Sequence, residues 1–175
     1  MVEKNPKEEH FWFVARTIAQ GELKMRTYFN NHQIECFVPT KKEICKRKGE
    51  MMETEIPIVP NLVFFKADYT LANTVFNLNY RKIHRIRFEN QLLHVSDSQM
   101  APFMRFVNEN FGKVKILETS HVAGDRVMVK QGPFAGLVGK VIKIDEKDYF
   151  SISLNGLLVA AVKFPKANLI KIGEA

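Results

Sequence analysis

Residues 124–144 read GDRVMVKQGPFAGLVGKVIKI, and this stretch decides the fold. Val127 and Val129 fall on one face of a strand, with Arg126, Met128 and Lys130 on the other. Val138, Lys140, Ile142 and Ile144 share a face of a second strand. Strands carry side chains on alternate faces with period two, so both halves read as a half-buried sheet. The six residues between them, Gln131 to Gly136, carry glycines suited to positive φ and a proline that fixes φ at the bend. Gly139, inside the second half, reads as a bulge or a close backbone approach.

Downstream the pattern repeats at short intervals. Tyr149 to Leu154 is strand-like, Asn155-Gly156 is a strong hairpin signal, and Leu157 to Phe164 and Asn168 to Ile172 complete the set. Five short strands in so little chain predict a small closed or nearly closed barrel. The β-branched content of Val127, Val129, Val138, Val141 and Ile142 favours strands there, with no switch to helix.

Upstream, His10 to Thr17 reads as a buried strand, rich in aromatic and β-branched residues. Glu22 to Asn30 is a short helix with Met25, Tyr28 and Phe29 on one face. Ile34 to Val38 is a strand that stops at Pro39. Lys41 to Ile58 forms a long polar hairpin around Lys48-Gly49. Leu62 to Lys66 is an apolar central strand. Thr70 to Asn77 is helical, with Leu71, Val75 and Phe76 inward, and Ile83 to Phe88 fits period two imperfectly. Ser96 and Gln99 have the spacing of a capping box, opening a helix whose apolar stripe is Phe103, Phe106 and Val107. Lys113 to His121 reads as a linker.

The totals narrow the function. A chain of 175 residues fits one or two small domains. Its net charge of +7 divides as +5 over residues 1–115 and +2 over the rest, which favours an anionic partner, nucleic acid first. A solvated basic surface is the competing reading. Cys36 and Cys45 match no zinc or redox spacing and read as reduced thiols of a cytoplasmic protein. No secretory h-region and no membrane-length apolar run occurs in the sequence. The five histidines show no ligand spacing, and no phosphate-cradling glycine loop is present. No enzyme, metal or cofactor is expected.

Gly124-Asp125, the Gly132 to Gly136 bend and Gly139 resemble the KOW motif of small barrels in transcription and ribosomal proteins. Trp12 to Arg16, Phe37-Val38-Pro39-Thr40 and Pro60 to Phe65 resemble, in this order, the N-terminal domain of NusG-like transcription factors. The resemblance covers about residues 10–173. It implies an α+β fold: an N-terminal antiparallel sheet flanked by helices over 10–112, a linker at 113–120, and an SH3-like five-stranded barrel over 121–173. It also implies docking on the RNA polymerase clamp helices through Val59, Leu62 and Phe64, with Ile86 a weaker match. An apolar patch with an aromatic anchor suits a helix tip, although a core role competes for Phe64.

Contact with the non-template DNA strand is implied for Arg16, Lys24 and Tyr28, with Arg26 added. Cations beside an aromatic plane suit phosphates and unstacked bases. In this family the barrel docks termination factor Rho or a ribosomal protein, and Phe134 at the loop tip is the anchor candidate, with a ring folded back over the barrel as the alternative. Asn61, where the housekeeping pattern has glycine, and the long Lys/Glu hairpin resemble RfaH-type paralogues that regulate capsular polysaccharide operons. The implied function is an elongation and antitermination regulator at specific operons. The alternatives are a housekeeping elongation and termination factor, or a KOW-bearing RNA-binding assembly module.

Overall fold

The computed structural model describes residues 9–88, 90–110, 113–117, 124–132, 134–154 and 157–172, apart from the Arg47 side chain. The chain divides into two compact units, Met1–Met100 and Ala101–Ala175. The division falls inside the third helix, ahead of the linker expected at 113–120.

In the first unit the elements run β1 (Phe11–Thr17), α1 (Glu22–Asn31), β2 (Cys36–Phe37), β3 (Thr40–Arg47), β4 (Glu50–Pro57), β5 (Leu62–Ala67), α2 (Tyr69–Leu78), β6 (Ile83–Arg85), β7 (Arg87–Phe88), β8 (Gln91–Leu92) and β9 (His94–Val95). Then α3 (Asp97–Glu109) begins. The main sheet is antiparallel with order β2-β5-β1-β6, and β9 also pairs with β1. Two ribbons stand apart from it, β3 with β4 and β7 with β8.

Register assigns the two faces of this sheet. Val14 lies opposite Phe64 and Phe13 opposite Phe65, so alternate residues of β1 and β5 line opposite sides. On the first side Phe13, Ala15, Val63 and Phe65 meet Met25 and Phe29 of α1 and Ala72, Val75 and Phe76 of α2. Phe29 stacks on Phe65 with ring centroids 4.9 Å apart. Each such buried ring stabilises the unit by roughly 1.5–3 kcal/mol. Leu71, expected inward, is instead exposed, and Ala72 takes the inward place. Asp68 sets the helix phase: its Oδ1 accepts from the Leu71 N–H at 2.7 Å.

Trp12, Val14, Phe37, Leu62, Phe64 and Val95 occupy the second side. Trp12 Nε1 donates to Asp97 Oδ1 at 2.8 Å, and Lys66 Nζ donates to the other Asp97 oxygen at 2.8 Å. Both bonds hold the carboxyl of Asp97 below its usual range, Lys66 most strongly. At the expected cap of α3, the Ser96 and Gln99 side chains bond each other at 3.3 Å.

The second unit carries β10 (Lys115–Leu117), β11 (Asp125–Val129), β12 (Val138–Ile144), β13 (Lys147–Leu154), β14 (Leu158–Val162) and β15 (Leu169–Lys171). They form one antiparallel sheet in the order β10-β14-β13-β12-β11-β15. The sheet has six strands where five were expected. The extra one, β10, lies in the expected linker and pairs with β14, Ile116 opposite Ala160. Three residues are too short to show alternation, which is why the sequence pattern hides it. Val127, Val129 and Ile142 are buried as the alternation requires, whereas Val138 is exposed. Gly139 marks a close approach: a Cβ there would lie 2.3 Å from the Ser151 carbonyl oxygen and 2.7 Å from the Phe150 ring. The Asn155-Gly156 turn lies outside the described residues.

Candidate functional site

Val59, Leu62 and Phe64, the residues expected to receive a helix tip, are all buried. Leu62 and Phe64 do share the second side of the sheet, together with Val14 and Phe37. The apolar set is therefore assembled, but it is a packed face and not an open depression. Ile86 sits in the break between β6 and β7, half-buried, and its carbonyl accepts from the Leu93 N–H at 2.8 Å.

The four expected nucleic-acid residues do not form one cluster. Arg16 is exposed and lies opposite Leu62 and His84, on the side of the sheet away from α1. Lys24 is exposed on α1. Arg26 is committed elsewhere: its two terminal nitrogens grip both oxygens of Glu55 at 2.6 Å each. Thr40 Oγ1 donates to the same carboxylate at 2.6 Å. The Arg26 hydrogen bonds hold Glu55 down at about 2, so the pair stays ionised through the physiological range. A bidentate clamp of this kind joins α1 to the base of the β3–β4 ribbon, which gives Arg26 a structural role.

Tyr28 is half-buried, with its ring 4.1 Å from that of His32 and with Lys82 Nζ 5.9 Å from its centroid. Lys82 belongs to a stretch that motif resemblance does not single out. From Tyr69 to Phe88 the chain carries four Lys/Arg and no Asp or Glu. These cations sit on the turn after α2, on the edge strand β6 and on β7. Tyr80 is 58% exposed, with the Arg81 guanidinium 5.4 Å from its ring. Arg85 lies 5.1 Å over Phe76 and donates to Asn77 Oδ1 at 2.6 Å. Phe88 is 66% exposed. Arg81, Lys82 and Arg87 have no carboxylate partner among the described residues, whereas Arg26, Lys42, Lys66, Arg105 and Lys171 each have one. An edge that pairs unneutralised cations with exposed rings suits a phosphate backbone and unstacked bases. The acid-free run is the signal in the sequence that points to it.

Phe134, the expected loop-tip anchor, is only 7% exposed and does not project. Its ring lies 5.7 Å from Phe106 and 6.3 Å from Phe164, with the Arg105 guanidinium 5.9 Å away. The loop folds its aromatic inward because three apolar or cationic neighbours offer more burial than solvent does. An anchor role for Phe134 is thereby set aside.

Residues 10–104 match the family model described as transcription termination factor nusG, and residues 123–154 match the KOW motif. Among solved structures the chain is similar to one described as domain interaction in Thermotoga maritima NusG. The identity is 18%, the alignment covers 94% of this chain and 98% of that one, and the TM-score is 0.51. That likeness is one of fold. No curated protein matches the sequence.

Proposed function

The chain belongs to the NusG family of transcription elongation and termination factors, and we propose that it is a specialised member which keeps RNA polymerase processive on a restricted set of operons. Factors of this family interact with RNA polymerase and act without covalent chemistry. The processive role rests on two surfaces acting together. The apolar face containing Leu62 and Phe64 is the surface that the family resemblance assigns to the clamp helices, and the two residues share one side of the sheet. The cationic aromatic edge from Tyr80 to Phe88, continued through Lys82 to Tyr28, holds the non-template strand.

One observation carries this reading: the cations of that edge lack protein carboxylate partners among the described residues while its rings stand in solvent. Bridging polymerase to an extruded strand resists pausing by opposing bubble collapse. The restricted range is supported by the long charged β3–β4 ribbon, the feature that resembles the polysaccharide-operon regulators.

The test uses the full chain on a reconstituted elongation complex. Arg81→Glu with Lys82→Glu is expected to abolish crosslinking to the non-template strand while polymerase is still pulled down. Leu62→Asp, kept only if near-ultraviolet circular dichroism shows a folded protein, is expected to lose the pull-down. Retained crosslinking in the first variant sinks the strand assignment. Retained binding in a folded Leu62→Asp protein sinks the docking face. Chromosome-wide occupancy over most genes would favour the housekeeping role.

A further inference from the structure

We propose that the distal end of the β3–β4 ribbon is a separate nucleic-acid site, one that enters a groove of duplex DNA. The ribbon pairs over its full length, from Thr40 opposite Pro57 to Arg47 opposite Glu50. Lys48 and Gly49 turn it with φ of +50° and +91°, the doubly left-handed bend that matches strand twist. The Arg26–Glu55 clamp fixes its base, and Glu55 lies opposite Lys42. About 20 Å of ribbon extends beyond that tie, at roughly 3.3 Å per residue.

Charge differs between base and tip, and the one carboxylate at the tip is Glu50, opposite Arg47. Lys41 pairs with Glu43, and Lys42 with Glu53 at 2.6 Å. Beyond them Lys46 and Lys48 are exposed and have no carboxylate partner among the described residues. Together with Arg47 they make three consecutive cations at the bend. Ile44 and Met51 share the face of Lys46, and they are 70% and 68% exposed.

Two chemistries are disfavoured by these residues. Residues 40–57 contain no Phe, Tyr or Trp, so the ribbon has no plane on which an unpaired base would stack. Lys46 stands directly opposite Met51, so an apolar protein partner could not cover Met51 without desolvating an unpaired ammonium. Phosphates flanking a groove satisfy the lysines, while Ile44 and Met51 reach apolar base edges such as thymine methyls. The major groove is about 12 Å wide and 8.5 Å deep and admits a two-stranded ribbon. The reach of the ribbon exceeds that depth, so the first unit need not follow it in.

The site differs from the Tyr80–Phe88 edge in substrate class, duplex against single strand, so the two readings fail separately. The experiment is fluorescence anisotropy of the full chain on a mixed-sequence duplex and on a single strand of equal length, over a salt series. Lys46→Ala with Lys48→Ala is expected to reduce the salt slope on the duplex by about 1–2 and to weaken that binding several-fold, because each phosphate neutralised on a duplex adds roughly 0.9 to the slope. Ile44→Ala with Met51→Ala is expected to weaken the duplex complex with its slope unchanged, and to lose its effect when uracil replaces thymine. Arg81→Glu with Lys82→Glu should act on the single strand. The proposal is overturned if the lysine variant leaves the duplex slope intact or weakens both probes equally. It is also overturned if the tip substitutions change only the binding of DNA-free polymerase.

Discussion

Asn61 stands at φ +58°, and its backbone amide donates to the buried Glu22 Oε1 at 2.5 Å while its carbonyl accepts from the Thr17 amide at 2.9 Å. Glycine and asparagine reach that conformation most readily, so the glycine-to-asparagine difference that sets this chain apart from the housekeeping pattern is one of conformational equivalence. It says nothing about which operon is bound. Asn61→Gly is expected to change stability by a few tenths of a kcal/mol, and Asn61→Val to cost about 1–2 kcal/mol. Urea denaturation of the purified chain measures both. Gly139 was legible as a tight position because a glycine inside an apolar strand needs a reason. Gly139→Ala should cost about 1–3 kcal/mol by driving a methyl into the Ser151 carbonyl. Phe134 was not legible in the same way, since its partners Phe106 and Phe164 are distant in sequence on either side.

Among the elements, the β3–β4 ribbon depends on one clamp. Glu55 ionises at about 2 in the folded chain against an ordinary 4.5, and its carboxylate is partly solvated. A depressed value stabilises the fold fully above about 4.5, and that stabilisation is lost as pH falls from there towards 2. Solvent screening limits the clamp to about 1 kcal/mol. Glu55→Gln should therefore melt lower than wild type at pH 7, with the gap closing below about pH 4, as thermal scans across pH will show. The periodicity of the sequence located this hairpin and its turn, and also α1 and β5. It missed β10, whose pairing is defined by β14 and not by its own residues. The helix end bearing Phe106 likewise belongs with the sheet, its ring 5.7 Å from Phe150. A fragment of residues 121–175 should consequently melt several degrees below one of residues 101–175, by differential scanning calorimetry.

For the whole molecule, a net charge of +7 favours an anionic partner without locating it. Location comes from subtraction and grouping: once the cations tied to carboxylates are set apart, two sets close together in the chain remain, at the Tyr80–Phe88 edge and at the ribbon tip, beside scattered ones such as Arg16, Lys24, Lys130 and Lys163. No periodicity in the sequence performs that subtraction, because ion pairs such as Arg26–Glu55 join residues far apart along the chain. Binding of single-stranded DNA by the intact protein should fall steeply between low and physiological salt, and a flat response in filter binding would contradict the assigned edge. The open strand edges carry one further consequence. In the second unit the two outermost strands, β10 and β15, are three residues each, too brief to template a neighbour. The β3–β4 ribbon is long and unflanked, and it is studded with five lysines or arginines and four glutamates instead. At cellular crowding those charges are what keeps one copy from zipping onto the next. Replacing Lys42, Lys46 and Glu53 with valine would convert a reaching arm into a nucleus for fibres.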